Sequence, residues 1–228
     1  MNHFDVIIVG LGPTGSITAL LLESYGIKVL AIEKEKEIYN LPRAVTMSDQ
    51  GFRISQLAGI DHIYQENSTV LGGARFTDKD LNTIGNAIEL DGLISPNGWP
   101  PSSLFHQPYT DQAIREKLNN SKVEVLLEHE FKNLNHIDNQ NVIKVFNLKE
   151  QKEVEFTCRY LIGSDGGSSL VRKELNIQQI DLEYNRDWVV VDVELTNENT
   201  LGNQVIQVCD KERLATFVPS HLPFRRWE

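Results

Sequence analysis

Cysteine is scarce in this sequence: two thiols, Cys158 and Cys209, stand far apart among 228 residues. There is no CxxC pair and no Cys/His spacing suited to zinc, so neither a disulfide framework nor a zinc site is expected. Both thiols read as reduced structural groups that behave as small hydrophobes. The 6 histidines are scattered without an HExxH, which argues against a metal site. Basic residues are outnumbered, 22 Lys+Arg against 32 Asp+Glu, for a formal net charge of -10. A nucleic-acid binder ordinarily carries a basic face, and the one compact basic cluster, Arg225-Arg226, is too small for a polyphosphate groove. No apolar run approaches the roughly 18 residues needed to cross a bilayer. The first strand-like run begins at about Phe4, leaving no room for a secretory leader. Repeats and low-complexity tracts are absent. The expectation is a cytoplasmic globular chain with no metal, no nucleic-acid partner and no membrane partner.

What is present begins with an ordinary globular composition, 40% hydrophobic and 24% charged, over a length that allows one large domain or a domain plus part of another. Phe4 to Val9 is a continuous apolar run ending in glycine, the pattern of a central strand buried on both faces. From Pro13 to Tyr25 the period turns helical, with Ile17, Leu20, Leu21 and Ser24 on one face and Gly26 at the C′ position. "IKVLAIE" is a second buried strand ending at Glu33. Strand, tight turn, helix and strand make a βαβ unit with parallel strands and a right-handed crossover.

Further along, Ser48 caps a helix running to about Ala58, with Gly59 as its stop. Segments 70–77 and 80–90 alternate as antiparallel strands do. A helix is expected near 109–119, with Arg115 and Lys117 toward its C-terminus. "VEVLLE" reads as a buried strand, 130–157 as a meander of short strands around "DNQN" and "KEQK" turns, and "RYLIGSDGG" as a further strand ending in glycines. A short helix over 168–175 and strands across 187–218 complete the pass, with Trp188 and Trp227 expected in the core.

The first glycine cluster has a chemical logic. Gly10 permits the tight turn, Gly12 lets backbone approach a pyrophosphate, and Gly15 lets the helix pack closely on the strand. The helix N-terminus then offers N–H groups and partial positive charge to phosphates. Glu33 can accept hydrogen bonds from ribose hydroxyls, and its charge argues against a 2′-phosphate there. The plainer alternative is a glycine turn with a surface glutamate. The cluster alone implies an ADP moiety and leaves NAD and FAD open. A later stretch, "YLIGSDGGSSLVRKEL", puts Asp165-Gly166 after another strand, where the carboxylate could bond a sugar-chain hydroxyl. Its plainer reading is a turn with a helix cap at Ser168 or Ser169.

Taken together, these motifs resemble the class A FAD-dependent aromatic (phenol) monooxygenases, in the branch of the 3-(3-hydroxyphenyl)propionate hydroxylases. The resemblance covers nearly the whole chain. It runs through "GLGPTG" with Glu33, "LPRAV", "FHQPYTDQAIREKL", "GSDGGSSLVRKEL", "RDWVVVDVEL" and "RRWE". It implies an α/β fold: a Rossmann-like FAD-binding domain, with a parallel sheet, an antiparallel meander and helices, over 1–70 and 104–178. A partial, mainly antiparallel substrate sheet would occupy 71–103 and 179–228. The cofactor-binding residues implied are Gly10, Gly12, Pro13, Thr14, Gly15, Glu33, Lys34, Arg43, Gln107, Asp165 and Gly166, with Arg115, Ser169 and Arg172 as further contacts.

The implied reaction uses FAD, NAD(P)H as co-substrate, O2 and a small phenolic substrate, with hydroxylation through a flavin hydroperoxide. Because the cofactor carries the chemistry, no Ser/His/Asp triad is expected and no catalytic residue is assigned. His106 lies beside Gln107, and its plainer reading is a satisfied structural histidine. The family's downstream "GD" motif has no match here. The chain is therefore expected to be the N-terminal part of a longer hydroxylase, with weak FAD affinity, little or no hydroxylation and an aggregation-prone sheet edge. Other readings are an epoxidase, halogenase or reductase of the wider FAD superfamily, an NAD-only dehydrogenase, and a non-catalytic nucleotide-binding remnant. The substrate, the choice of NADH or NADPH, and homo-oligomer formation are left open.

Overall fold

The computed structural model describes residues 3–137, 139–196 and 202–228. In chain order the elements are β1 (His3–Val9), α1 (Pro13–Ser24), β2 (Val29–Ile32), β3 (Thr46–Ser48), α2 (Asp49–Leu57), α3 (Asp61–Glu66), β4 (Ser68–Val70), β5 (Gly73–Thr77), β6 (Ile88–Glu89), β7 (Ser102–Phe105), α4 (Gln107–Asn119), β8 (Glu124–Leu126), β9 (His129–Ile137), β10 (Gln140–Asn147), β11 (Lys152–Gly163), α5 (Leu170–Glu174), β12 (Val191–Glu194), β13 (Gln204–Val208), β14 (Ala215–Val218) and β15 (Phe224–Trp227). They form two compact units, 1–39 with 111–183 and 40–110 with 184–228.

The first unit is built on a six-stranded sheet of order β8-β2-β1-β11-β10-β9. Strands β8, β2, β1 and β11 run parallel, and β9, β10 and β11 form the antiparallel meander. The expected short meander strands and the separate "RYLIG" strand are instead long ones. β11 pairs with β10 through Lys152–Cys158 and continues into the parallel sheet beside β1. Asp138 of the expected "DNQN" turn lies outside the described residues. The core joins Phe4, Ile7, Leu30, Ile32, Phe131, Ile143, Val145 and Cys158. Such continuous apolar strands bury both faces, as their sequence pattern requires.

Two expectations in this unit are corrected. The buried face of α1 is Gly15, Ser16, Ala19 and Leu20, whereas Ser24 is exposed. Small side chains let this helix lie close to its sheet, so size rather than apolarity marks the packed face. Within "VEVLLE", Val123 is buried but the strand β8 is an edge strand of half-buried and exposed residues, because β2 flanks it on one side only.

In the second unit, β12-β15-β14-β13-β5-β6 form a mainly antiparallel sheet with one parallel pair, β13 with β5. A three-stranded antiparallel sheet, β3-β7-β4, accompanies it. Segments 40–70 and 104–110 fall in this unit, which differs from the expected partition. Val45, Leu71 and Leu104 share a buried cluster with Val218 of β14. Of segment 80–90, Ile88–Glu89 forms the only named strand, with a single bridge between Thr77 and Thr83. Trp188, expected in the core, is 68% exposed. Trp227 packs against Phe217 with ring centroids 5.2 Å apart.

Candidate functional site

The carboxyl ends of three adjacent parallel strands define the site in the first unit. Val9 is in register with Ile32 on one side and Gly163 on the other. Gly10, Glu33 and Ser164 therefore emerge side by side. β1 leads through α1 to β2 on one flank, while β11 occupies the other, so this is the point where strand order reverses. Ligands of open α/β sheets bind in the crevice at such a point.

Local packing explains the glycine spacing. Gly10 has φ +95, and a Cβ there would lie 2.4 Å from the Ser164 carbonyl oxygen. The neighbouring β11 backbone thus excludes a side chain. A Cβ on Gly15 would lie 1.9 Å from the Gly10 carbonyl oxygen, which fixes how closely α1 approaches the turn. Gly12 differs: a Cβ there would meet nothing within 4 Å. It is the N-cap of α1, without a side-chain cap, and is followed by Pro13, which has no N–H. The next N–H groups, from Thr14 and Gly15, belong to the helix turn that lacks intrahelical acceptors. An uncapped helix end beside open space fits a pyrophosphate, by hydrogen bonding and by the helix dipole.

Glu33 shapes the turn itself. One carboxylate oxygen accepts from Leu11 N–H at 2.8 Å and the other from Glu35 N–H at 3.0 Å. Each oxygen has a second lone pair for a ribose hydroxyl. Ser16 Oγ donates to the Leu11 carbonyl at 3.0 Å, a contact that sequence reading missed. Lys34 is exposed and lies 3.6 Å from Glu35.

Arg115, read from sequence as a charge toward the C-terminus of its helix and by resemblance as a cofactor contact, is buried. Burial pushes its guanidinium below the ordinary arginine range, while Glu33 and Asp111 oppose that shift. The helical period carried the signal, since position 115 lies about one turn from buried Leu118.

On the other flank, Asp165 acts as an extended cap for α5. One oxygen accepts from Ser169 Oγ, and the other from Leu170 N–H at 2.7 Å and Val171 N–H at 3.2 Å. Ser169 is the N-cap and accepts from Arg172 N–H. The helix-cap reading of this motif is thus present in the structure, beside the glycine turn. Gly166 takes φ +82 and adjoins open space. Arg172 donates to Gln179 instead of pairing with Glu174 or Asp165.

In the second unit, Gln107 starts α4, and its Oε1 accepts from Arg43 N–H at 3.0 Å and Ala44 N–H at 2.9 Å. His106 stacks on Phe224 at 3.9 Å between centroids. Its Nδ1 is buried without a hydrogen-bond partner, which corrects the reading of a satisfied histidine. Burial pushes its pKa down foremost; Asp192 raises it and His221 lowers it further. Burial thus favours the neutral ring.

Arg225 and Arg226, read as a basic cluster too small for a polyphosphate groove, are both buried. Arg226 donates to Asp192 at 2.8 and 2.9 Å, a pair that went unnoticed in sequence. Of the two thiols, Cys158 is buried and Cys209 exposed, so only the first is the expected small hydrophobe. No helix among the described residues is long and apolar enough to cross a membrane.

The FAD binding domain family matches residues 3–226. The chain is 33% identical over 230 residues to the 3-(3-hydroxy-phenyl)propionate/3-hydroxycinnamic acid hydroxylase of Comamonas testosteroni, covering 98% of this chain and 37% of that protein. It is 29% identical over 209 residues to a "Probable NADH-specific resorcinol 4-hydroxylase" of Rhodococcus jostii (strain RHA1), covering 90% and 39%. The chain thus spans well under half the length of these curated relatives. The crystal structure of p-nitrophenol 4-monooxygenase from Pseudomonas putida DLL-E4 superposes with a TM-score of 0.81 at 18% identity, covering 100% of this chain and 57% of that one. At that identity the likeness is one of fold.

Proposed function

This chain belongs to the FAD binding domain family, and from that premise we propose that it holds FAD and serves the NAD(P)H-dependent hydroxylation of a phenolic ring by O2. The observation that carries the reading is the uncapped N-terminus of α1, open at Gly12 and flanked by Glu33 and Asp165. The phenolic substrate class follows the names of the relatives, one of which is called NADH-specific.

The residues proposed to hold FAD are Gly10, Gly12, Pro13, Thr14 and Gly15 at the pyrophosphate, with Glu33 and Lys34 toward the ribose. Asp165 and Gly166 lie on the other flank, and Arg43 and Gln107 are further proposed contacts that follow from the family resemblance alone. When bound, FAD supplies electron transfer from the nicotinamide and activation of oxygen. The chain's own work is to bind phosphates with α1 and the ribose with Glu33. His106, with an unsatisfied ring nitrogen, is available as a hydrogen-bonding group.

The test is titration of the purified chain with FAD, followed by flavin fluorescence. Binding is expected to saturate at one FAD per chain. NAD(P)H consumption is then followed with 3-(3-hydroxyphenyl)propionate and resorcinol, and product by mass spectrometry. From this chain alone only slow gain of one oxygen atom is expected. FAD uptake with no phenol-stimulated NAD(P)H oxidation at saturating FAD would overturn the hydroxylase reading and leave the cofactor reading standing.

A further inference from the structure

The six-stranded sheet of the second unit ends in two unlike strands. At one edge stands β6, two residues long. At the other stands β12, which among the described residues pairs only with β15. The run Trp188, Val189, Val190 and Val191 that leads into it is 44 to 73% exposed. No proline, glycine or lysine interrupts the chain from Arg186 to Leu195. An apolar edge without such guards is a template for another strand.

The backbone register shows which groups face outward. β12 and β15 are antiparallel with Glu194 opposite Phe224, and Leu195 N–H donates to the Pro223 carbonyl at 2.9 Å. Hydrogen-bonded positions alternate along such a pair. The N–H and C=O groups of Val191 and Val193 therefore face β15, while those of Asp192 and Glu194 face away from it. Continued along the extended chain, the same alternation turns Val190 outward.

The side chains select what pairs there. Arg186 and Glu194 are exposed, and neither joins an ion pair among the described residues. Arg186 touches only its neighbours, the Asn185 carbonyl and the Tyr184 ring. Consider two β12 edges, antiparallel, related by a two-fold axis at Val190. Val189 then stands opposite Val191, and Arg186 opposite Glu194, each twice. The outward positions 190, 192 and 194 meet positions 190, 188 and 186 of the second copy as hydrogen-bonded pairs. Other registers serve the charges worse. An axis at Asp192 opposes two carboxylates, and one at Val191 sets Trp188 opposite Glu194. One at Val189 aims Arg186 at Asp192, which Arg226 already holds.

We propose that the edge from Arg186 to Glu194 is a self-complementary interface through which two copies of this chain join their sheets. The two-fold closes the contact, since each β12 edge is used up on the other, so the product is a dimer and not a fibre. Strand addition supplies main-chain hydrogen bonds, and the valines lose water. The two Arg–Glu pairs fix the register. The contact is small beside that of a permanent dimer, so it forms and dissociates with concentration.

The test is sedimentation equilibrium of the full chain across the micromolar range, with circular dichroism on every variant. The parent chain is expected to pass from monomer to dimer. R186E and E194R each place like charges opposite one another at both ends of the pair, and each should weaken dimerisation on the order of tenfold. An equal mixture of the two variants regains opposite charges at both ends. It is expected to form a heterodimer at about the concentration at which the parent chain dimerises, a result that misfolded variants could not give. Register is read by cross-linking in a C209S background, which removes the exposed native thiol. V190C should form an intermolecular disulfide on oxidation with diamide, because a hydrogen-bonded antiparallel pair sets its Cα atoms about 5.5 Å apart. V189C, which faces Val191 of the second copy and not itself, should not.

A parent chain that stays monomeric would overturn the proposal. Oligomers indifferent to both charge reversals, or a mixture of R186E and E194R that stays monomeric, would do the same. Cross-linking through V189C in preference to V190C would also refute it.

Discussion

Gly12 and Gly15 occupy one turn, yet a methyl group meets opposite fates at the two positions. At Gly15 it collides with the Gly10 carbonyl, and at Gly12 it enters open space. G15A is therefore expected to cost about 2–4 kcal/mol of stability, the range of overpacked and strained sites. G12A should stay within about 0.5 kcal/mol of the parent chain while weakening FAD binding. Thermal unfolding without FAD, paired with an FAD titration, separates the two effects. Equal destabilisation by both variants would contradict the geometry.

The thiols divide in the same way. Iodoacetamide is expected to modify Cys209 in the folded chain and to reach Cys158 only in denaturant, as peptide mass mapping would show. Burial pushes the Cys158 thiol up to about 11. The folded state then keeps a proton that the unfolded state releases at lower pH, so stability is full below the ordinary thiol range. It falls as pH rises toward about 11, by a total on the order of 2 kcal/mol. C158A should blunt that alkaline loss in pH-dependent unfolding curves. Nothing local in the sequence distinguishes the two thiols, because exposure depends on which strands cover them.

At the level of elements, α5 is short and relies on its cap. Asp165 receives two of its first N–H groups and the Ser169 hydroxyl, and Ser169 receives a third N–H. D165A and S169A are each expected to cost about 1–2 kcal/mol in the absence of FAD. The double variant should cost less than their sum, because the two side chains bond each other. Chemical denaturation of the four proteins forms the cycle. The existence of this helix and of α2 with its Ser48 cap was legible in sequence, since capping is read from residues three or four apart. The packed face of α1 was not legible. Apolar periodicity pointed to Ile17 and Leu21, but close approach to a sheet selects small side chains. The single long β11 was likewise hidden, because its two halves pair with different partners.

For the molecule as a whole, the net charge of -10 and the burial of both Arg225 and Arg226 leave little to attract a phosphate backbone. The mobility of duplex DNA in a native gel is expected to be unchanged by micromolar protein at about 0.15 M salt, where nonspecific binding depends on exposed cations. A salt-sensitive shift would refute this.

By itself the sequence determined the βαβ unit, the glycine turn, the acidic residue ending β2 and the cap of α5. Each depends on spacing within a few residues or on the period of one element. Only the tertiary structure decided that Arg226 grips Asp192, 34 positions away in the chain, or that Gln107 holds Arg43 across 64. It also decided which sheet claims residues 40–70. Those contacts form when strands distant in the chain come into register, and no local period encodes their partners.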